Sequence, residues 1–168
     1  AKRNGTNMEM HALNQGGMVE QLRKEVAQRP SLCGLLDSDD LLYQAGGRLY
    51  ATLRRCAEQA DVVVIGETHV RADDEKQRAR MQKLMTTGEF RGWQVRATHV
   101  PAGGVADSSG VAIWYNAGAV EITEECELVP GRLLSAWVRP LASAAAAHRL
   151  LAAYRPTRRT RDTDAQAE

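Results

Sequence analysis

A chain of 168 residues is long enough for one domain with a substantial core. Its 43% hydrophobic and 26% charged content is that of a folded globular protein and excludes a disordered or collagen-like chain. With 22 basic against 21 acidic side chains the net charge is +1, which excludes a global electrostatic pull toward nucleic acid or membrane, although Arg155, Arg158, Arg159 and Arg161 crowd one segment. Cys33, Cys56 and Cys126 are far apart, odd in number and without a CxxC pair, a usage that points to reduced thiols and an intracellular (cytoplasmic or nuclear) setting. No apolar run approaches the roughly 18 residues of a membrane span, and no signal peptide is visible, so no membrane partner is expected.

In chain order, Met8 to Leu13 alternates apolar and polar side chains and predicts a strand running into the turn Asn14-Gln15-Gly16-Gly17. Met18 to Gln28 places Met18, Val19, Leu22 and Val26 at helical spacing, and Pro30 stops that helix. Residues 31–47 read as a surface insertion; the acidic group Asp37, Asp39 and Asp40 does not complete a calcium-loop spacing and reads as solvated. A helix is expected at about Arg48 to Ala60, with Leu49, Leu53, Cys56 and Ala60 on one face.

Asp61 to His69 is the most informative stretch. The β-branched run Val62 to Ile65 is too short for a helix and has the pattern of a strand buried on both faces. It ends at Gly66, so Glu67 falls at the carboxyl end of a central strand, where layered α/β proteins place ligand-binding groups. The plainer alternative is a loop acid beside a helix start. Arg71 to Thr87 is the next expected helix, with Asp73 as its N-cap and Gly88 closing it. Trp93 to Val100, Gly110 to Tyr115, Ala119 to Leu128, Arg132 to Val138 and Arg149 to Tyr154 then read as consecutive strands, the last two joined by the small-residue linker Ala142 to Ala147, and residues 157–168 as a polar tail. Consecutive strands are not the alternation of a doubly wound nucleotide fold. They predict an α/β (α+β) domain with one mixed or antiparallel sheet and helices outside it.

Five segments, in order, resemble motifs of the endonuclease/exonuclease/phosphatase family, which includes abasic-site endonucleases, deoxyribonucleases, retroelement endonucleases and inositol-polyphosphate phosphatases. Leu13-Asn14-Gln15-Gly16-Gly17 resembles the first-strand N-x-x-G turn, and Val64-Ile65-Gly66-Glu67-Thr68-His69 the Q-E-T motif. Ser109-Gly110-Val111-Ala112-Ile113 resembles the G-G-V-A-I strand, Gly131-Arg132-Leu133-Leu134 the G-R strand, and Leu151-Ala152-Ala153-Tyr154-Arg155-Pro156 the N-V-Y-A-P strand end. The resemblance implies part of a four-layer α/β-sandwich and a phosphodiester hydrolase using Mg²⁺ or Mn²⁺, with nucleic acid, DNA foremost, as substrate. It implies Glu67 as the metal carboxylate, Asn14 as the amide orienting metal or phosphate, and Tyr154 as a phenol near the scissile phosphate. His69 would be a rim residue touching substrate, and Arg132 would be structural. The arginine cluster that follows Tyr154 directly, Arg155 and Arg158 with Arg159 and Arg161, reads either as a grip on phosphates or as a solvated tail.

The chain also departs from that pattern. Gly66 stands where the family has Gln, and the stretch from Asn14 to Glu67 is longer than usual. The later G-D-x-N and S-D-H motifs have no counterpart, so the expectation is an N-terminal fragment, inactive by itself, with one face of its sheet uncovered. A non-catalytic relative acting as a binding or scaffolding module, a lipid or inositol phosphatase, and a small α/β protein of accidental likeness remain the alternatives.

Overall fold

Strand β2 (Val62–Gly66) forms where its β-branched run predicts it, and it lies inside a four-stranded sheet. The structure, a computed structural model, describes residues 10–14, 48–103, 109–142 and 146–154. The helix expected at Met18–Gln28, the 31–47 insertion and the polar tail lie outside the described residues. On one side β2 pairs in parallel with β1 (Met10–Asn14), which sets Asn14 opposite Gly66. On the other it pairs antiparallel with β4 (Val111–Asn116), which in turn pairs with the edge strand β3 (Trp93–Thr98). The order is β1-β2-β4-β3.

Alternation along β2 and β4 sends side chains to both faces. Val63, Ile65, Ala112 and Trp114 enter a core with the two helices, α1 (Arg48–Gln59) and α2 (Glu75–Thr86). Leu53, Cys56 and Ala60 supply the α1 side at the expected spacing, and Met81, Leu84 and Met85 the α2 side. Trp114 is its centre: the ring meets Phe90 edge-on at 4.9 Å and lies 4.2 Å from Trp93, while Nε1–H donates to the Met85 carbonyl at 2.7 Å. That bond satisfies both a buried indole N–H and one of the orphan carbonyls of the last helical turn.

The other face carries Val62, Val111, Ile113 and Tyr115, and here the structure differs from the single sheet expected. Strands β5 (Val120–Val129), β6 (Leu133–Pro140) and β7 (His148–Ala153) form a second, antiparallel sheet in that order. Its residues Leu134, Ala136, Val138 and Ala152 bury that face. The physical reason is the apolar character of both faces of β4, whose five residues Val111 to Tyr115 are all buried. Adding β5 to β7 beside β3 would leave half of those side chains in water; folding them over the sheet removes that cost. The face expected to be bare is therefore covered from within the chain, and the fold is mixed α+β with strands dominant. Exposed apolar groups sit instead on the second sheet, at Val129 and Leu151.

Helix α2 is shorter than Arg71–Thr87. The backbone at Arg71 is held in a bridge to Val100, with Val100 N–H donating to Val70 O at 2.9 Å and Ala72 N–H to Val100 O at 2.8 Å. Asp74, not Asp73, is the N-cap, its carboxylate accepting from Gln77 N–H at 3.0 Å. Asp73 is taken by an ion pair with Arg71 at 2.9 Å.

Candidate functional site

The segment leaving β2 crosses the sheet edge sideways. Thr68 N–H donates to Gly110 O and His69 N–H to Ser109 O, both at 3.1 Å, and the chain then reaches Val100. To make these bonds in succession, Glu67 and His69 both adopt φ of 55°, in the left-handed region that non-glycine residues rarely occupy. Each such residue costs on the order of 1–3 kcal/mol and persists only where its surroundings enforce it. Thr68 between them is fully buried, and its Oγ1 accepts from Val70 N–H at 3.5 Å.

The enforced turn brings Glu67 to Tyr154, whose phenol O–H donates to Glu67 Oε1 across 87 residues of sequence. Tyr154 follows β7, and its own N–H donates to Arg132 O at 2.9 Å. The bond therefore ties the edge of the first sheet to that of the second. Asn14 is brought to the same edge by its register opposite Gly66, one residue before Glu67. A Cβ on Gly66 would meet the Tyr154 ring at 3.6 Å, so the glycine that departs from the Q-E-T pattern lies against the phenol. Burial, then the hydrogen bond and negative charge of Glu67, push the Tyr154 hydroxyl up to about 12, against a smaller opposing effect of the Arg132 charge. At neutral pH it is a neutral donor held on a carboxylate. Arg132, read from sequence as structural, is thus also an exposed cation acting on this pair.

The Gly131 turn locks the edge from beneath. Its N–H donates to Thr98 Oγ1 and its carbonyl accepts from Gly110 N–H, both at 2.6 Å. Its φ is 70°, and a Cβ there would stand 3.0 Å from His99 O and Ser109 Oγ, so only glycine fits without displacement. Thr98 is buried and its hydroxyl also donates to the Glu127 carboxylate.

His69 is half-buried, with Nε2 covered and without a hydrogen-bond partner among the described residues. His99 has its Nδ1 in the same condition, and burial and the Arg78 charge push its pKa down. Arg155 and Arg158 lie outside the described residues, as do Asp37, Asp39 and Asp40. Glu67 and Tyr154 are singled out separately by motif resemblance; their hydrogen bond has no signal in the sequence, and the strained turn has only the glycines Gly110 and Gly131.

Among the described residues no group of three or more His, Cys, Asp or Glu side chains could hold a metal ion. Glu67 is a single carboxylate, a donor set that suits Mg²⁺, which binds through one or two carboxylates and substrate phosphate while keeping several waters. Among the described residues no helix is long and apolar enough to cross a membrane, and Cys56 and Cys126 are free thiols. No protein-family model matches the chain, and no curated protein matches it either.

Proposed function

We propose that the chain is the N-terminal part of a divalent-metal-dependent phosphodiesterase of the endonuclease/exonuclease/phosphatase kind, acting on nucleic acid, DNA foremost, in an intracellular setting. The observation that carries this reading is the hydrogen bond from Tyr154 to Glu67 at a sheet edge that also receives Asn14. Glu67 and Asn14 would hold Mg²⁺ or Mn²⁺, and the ion would neutralise charge on the scissile phosphate. Tyr154, kept protonated, orients the carboxylate and offers a hydrogen bond to developing negative charge beside it. Arg132 adds a cation at the same edge. His69, Arg155 and Arg158 are the further residues assigned to substrate.

A second reading, a non-catalytic relative that binds without cleaving, is favoured by the lack, among the described residues, of any group of three or more His, Cys, Asp or Glu side chains that could hold a metal ion. Titration with Mg²⁺ or Mn²⁺ followed by NMR, beside a plasmid-nicking assay, separates the two. The hydrolase reading expects shifts at the Asn14, Glu67 and Tyr154 amides that vanish in Glu67→Ala, and metal-dependent nicking by a longer chain carrying the later motifs. Metal shifts without nicking by the longer chain would establish the binding module. Absence of shifts at all three amides would sink the metal site.

A further inference from the structure

The bond between Tyr154 and Glu67 uses one particular oxygen. The phenol O–H donates to Oε1, which leaves Oε2 as the oxygen for any other partner. Both ends of that bond are fixed from elsewhere. Glu67 is held at φ 55° between β2 and Thr68, which is fully buried and whose N–H is bonded to Gly110 O at 3.1 Å. Tyr154 is anchored through its N–H on Arg132 O at 2.9 Å, and its ring lies against Gly66, where a Cβ would stand 3.6 Å away. The phenol therefore does not simply follow the carboxylate. It sets the angle at which the carboxylate faces outward, as an outer hydrogen-bond partner does for a metal ligand.

A carboxylate meets a cation through one oxygen or through both. Ca²⁺ gathers roughly six to eight oxygens in a flexible shell and readily takes both; Mg²⁺ demands near-octahedral geometry, takes one, and keeps several waters. One-oxygen binding at Oε2 leaves the Tyr154 bond intact. Two-oxygen binding brings the cation to Oε1 as well, and either costs that bond or turns the carboxylate away from it. Hydrogen bonds to charged groups are among the stronger ones in a protein, and a tyrosine hydroxyl keeps its proton at neutral pH. We propose that Tyr154 makes Glu67 a one-oxygen ligand, and so biases this edge toward Mg²⁺ and against Ca²⁺. The inference rests on the metal-dependent reading of the same edge, and adds to it a residue that selects the ion. In this role Tyr154 is a positioning residue, acting through Glu67.

The test is titration of the full 168-residue chain with Mg²⁺ and, separately, with Ca²⁺ at neutral pH, read by NMR at the Glu67 side-chain carboxyl carbon and the Tyr154 ring carbons. In the wild type Mg²⁺ should shift the Glu67 carboxyl carbon and leave the Tyr154 signals in place, whereas Ca²⁺ should shift both. Tyr154→Phe keeps the ring against Gly66 and removes only the hydroxyl; it should raise the affinity for Ca²⁺ relative to Mg²⁺ about tenfold. Tyr115→Phe removes a different phenol bond, to Gln94 Oε1 at 2.7 Å, at the opposite end of β2, where Tyr115 pairs with Val62, and should leave the ratio unchanged. An unchanged ratio in Tyr154→Phe, an equal change in Tyr115→Phe, or Tyr154 signals displaced alike by both ions would each overturn the role given to Tyr154 while leaving a metal site at Glu67. Binding of neither ion at Glu67, in the wild type or in Tyr154→Phe, would instead overturn the metal reading itself, and this proposal with it.

Discussion

Replacing Gly110 by alanine tests whether the crossing segment is as over-determined as its geometry requires. Gly110 is buried at φ 98°, its carbonyl bonded to Thr68 N–H at 3.1 Å and its N–H to Gly131 O at 2.6 Å. An added Cβ would overlap Thr68 Oγ1 and lie 3.2 Å from His69 N, and Thr68 is itself fully buried with nowhere to retreat. Two costs add: about 1–3 kcal/mol for an L-residue at this φ, and about 1–3 kcal/mol for forcing a methyl into filled space. The sum, about 2–6 kcal/mol, is a large share of the about 5–15 kcal/mol that holds a typical domain together. Urea unfolding followed by tryptophan fluorescence measures it. Thr68→Ala removes the overlapping oxygen, so Gly110→Ala should cost at least about 1 kcal/mol less in that background, the backbone part remaining. A cost below about 1 kcal/mol in the wild-type background, or the same cost in both, would refute the reasoning: the segment carrying Glu67 would then be pliable and its strain not imposed by packing.

Two further outcomes concern the same framework. The Tyr154 phenol should titrate at about 12, above its ordinary value of 10, and Glu67→Gln should lower that value while burial keeps it raised. The folded state thus holds the proton more tightly than the unfolded one, so this contribution to stability is complete below about pH 10 and lost as pH rises toward 12; ring-carbon NMR of labelled tyrosine reads it, and titration at the ordinary value would deny the contact. Trp114→Phe should destabilise the chain by about 2–4 kcal/mol, because it leaves the Met85 carbonyl buried without its donor and opens space between Phe90 and Trp93; a loss under 1 kcal/mol in urea unfolding would mean that water reaches that carbonyl.

Most strands were legible because their signals are local. The β-branched run from Val62 to Ile65 and the apolar run from Val111 to Tyr115 specify extended, buried segments wherever they end up. Helix α1 was legible from the spacing of Leu53 and Cys56. The start of α2 was not, because Asp73 and Asp74 are equally good caps locally. The choice fell to a bond between Arg71's neighbours and Val100, remote in sequence. Likewise a run of strands says that hairpins follow one another, but not whether the next strand extends the edge of a sheet or folds across its face. The buried area on both sides of β4 decided that.

The site divides in the same way. Sequence by itself determined the chemical inventory: a carboxylate just past a central strand, an amide at the end of the first strand, a phenol at the end of the last. These follow from short-range patterns, since strand ends are fixed by glycine and by the loss of alternation. Only the tertiary structure decided that Glu67 and His69 turn left-handed, that Tyr154 donates to Glu67, and that Arg132 stands beside them. None of those has a local cause. A glutamate adopts a positive φ only where its surroundings enforce it, and here the hydrogen bonds from Thr68 and His69 run to Gly110 and Ser109, just ahead of β4 and remote in sequence.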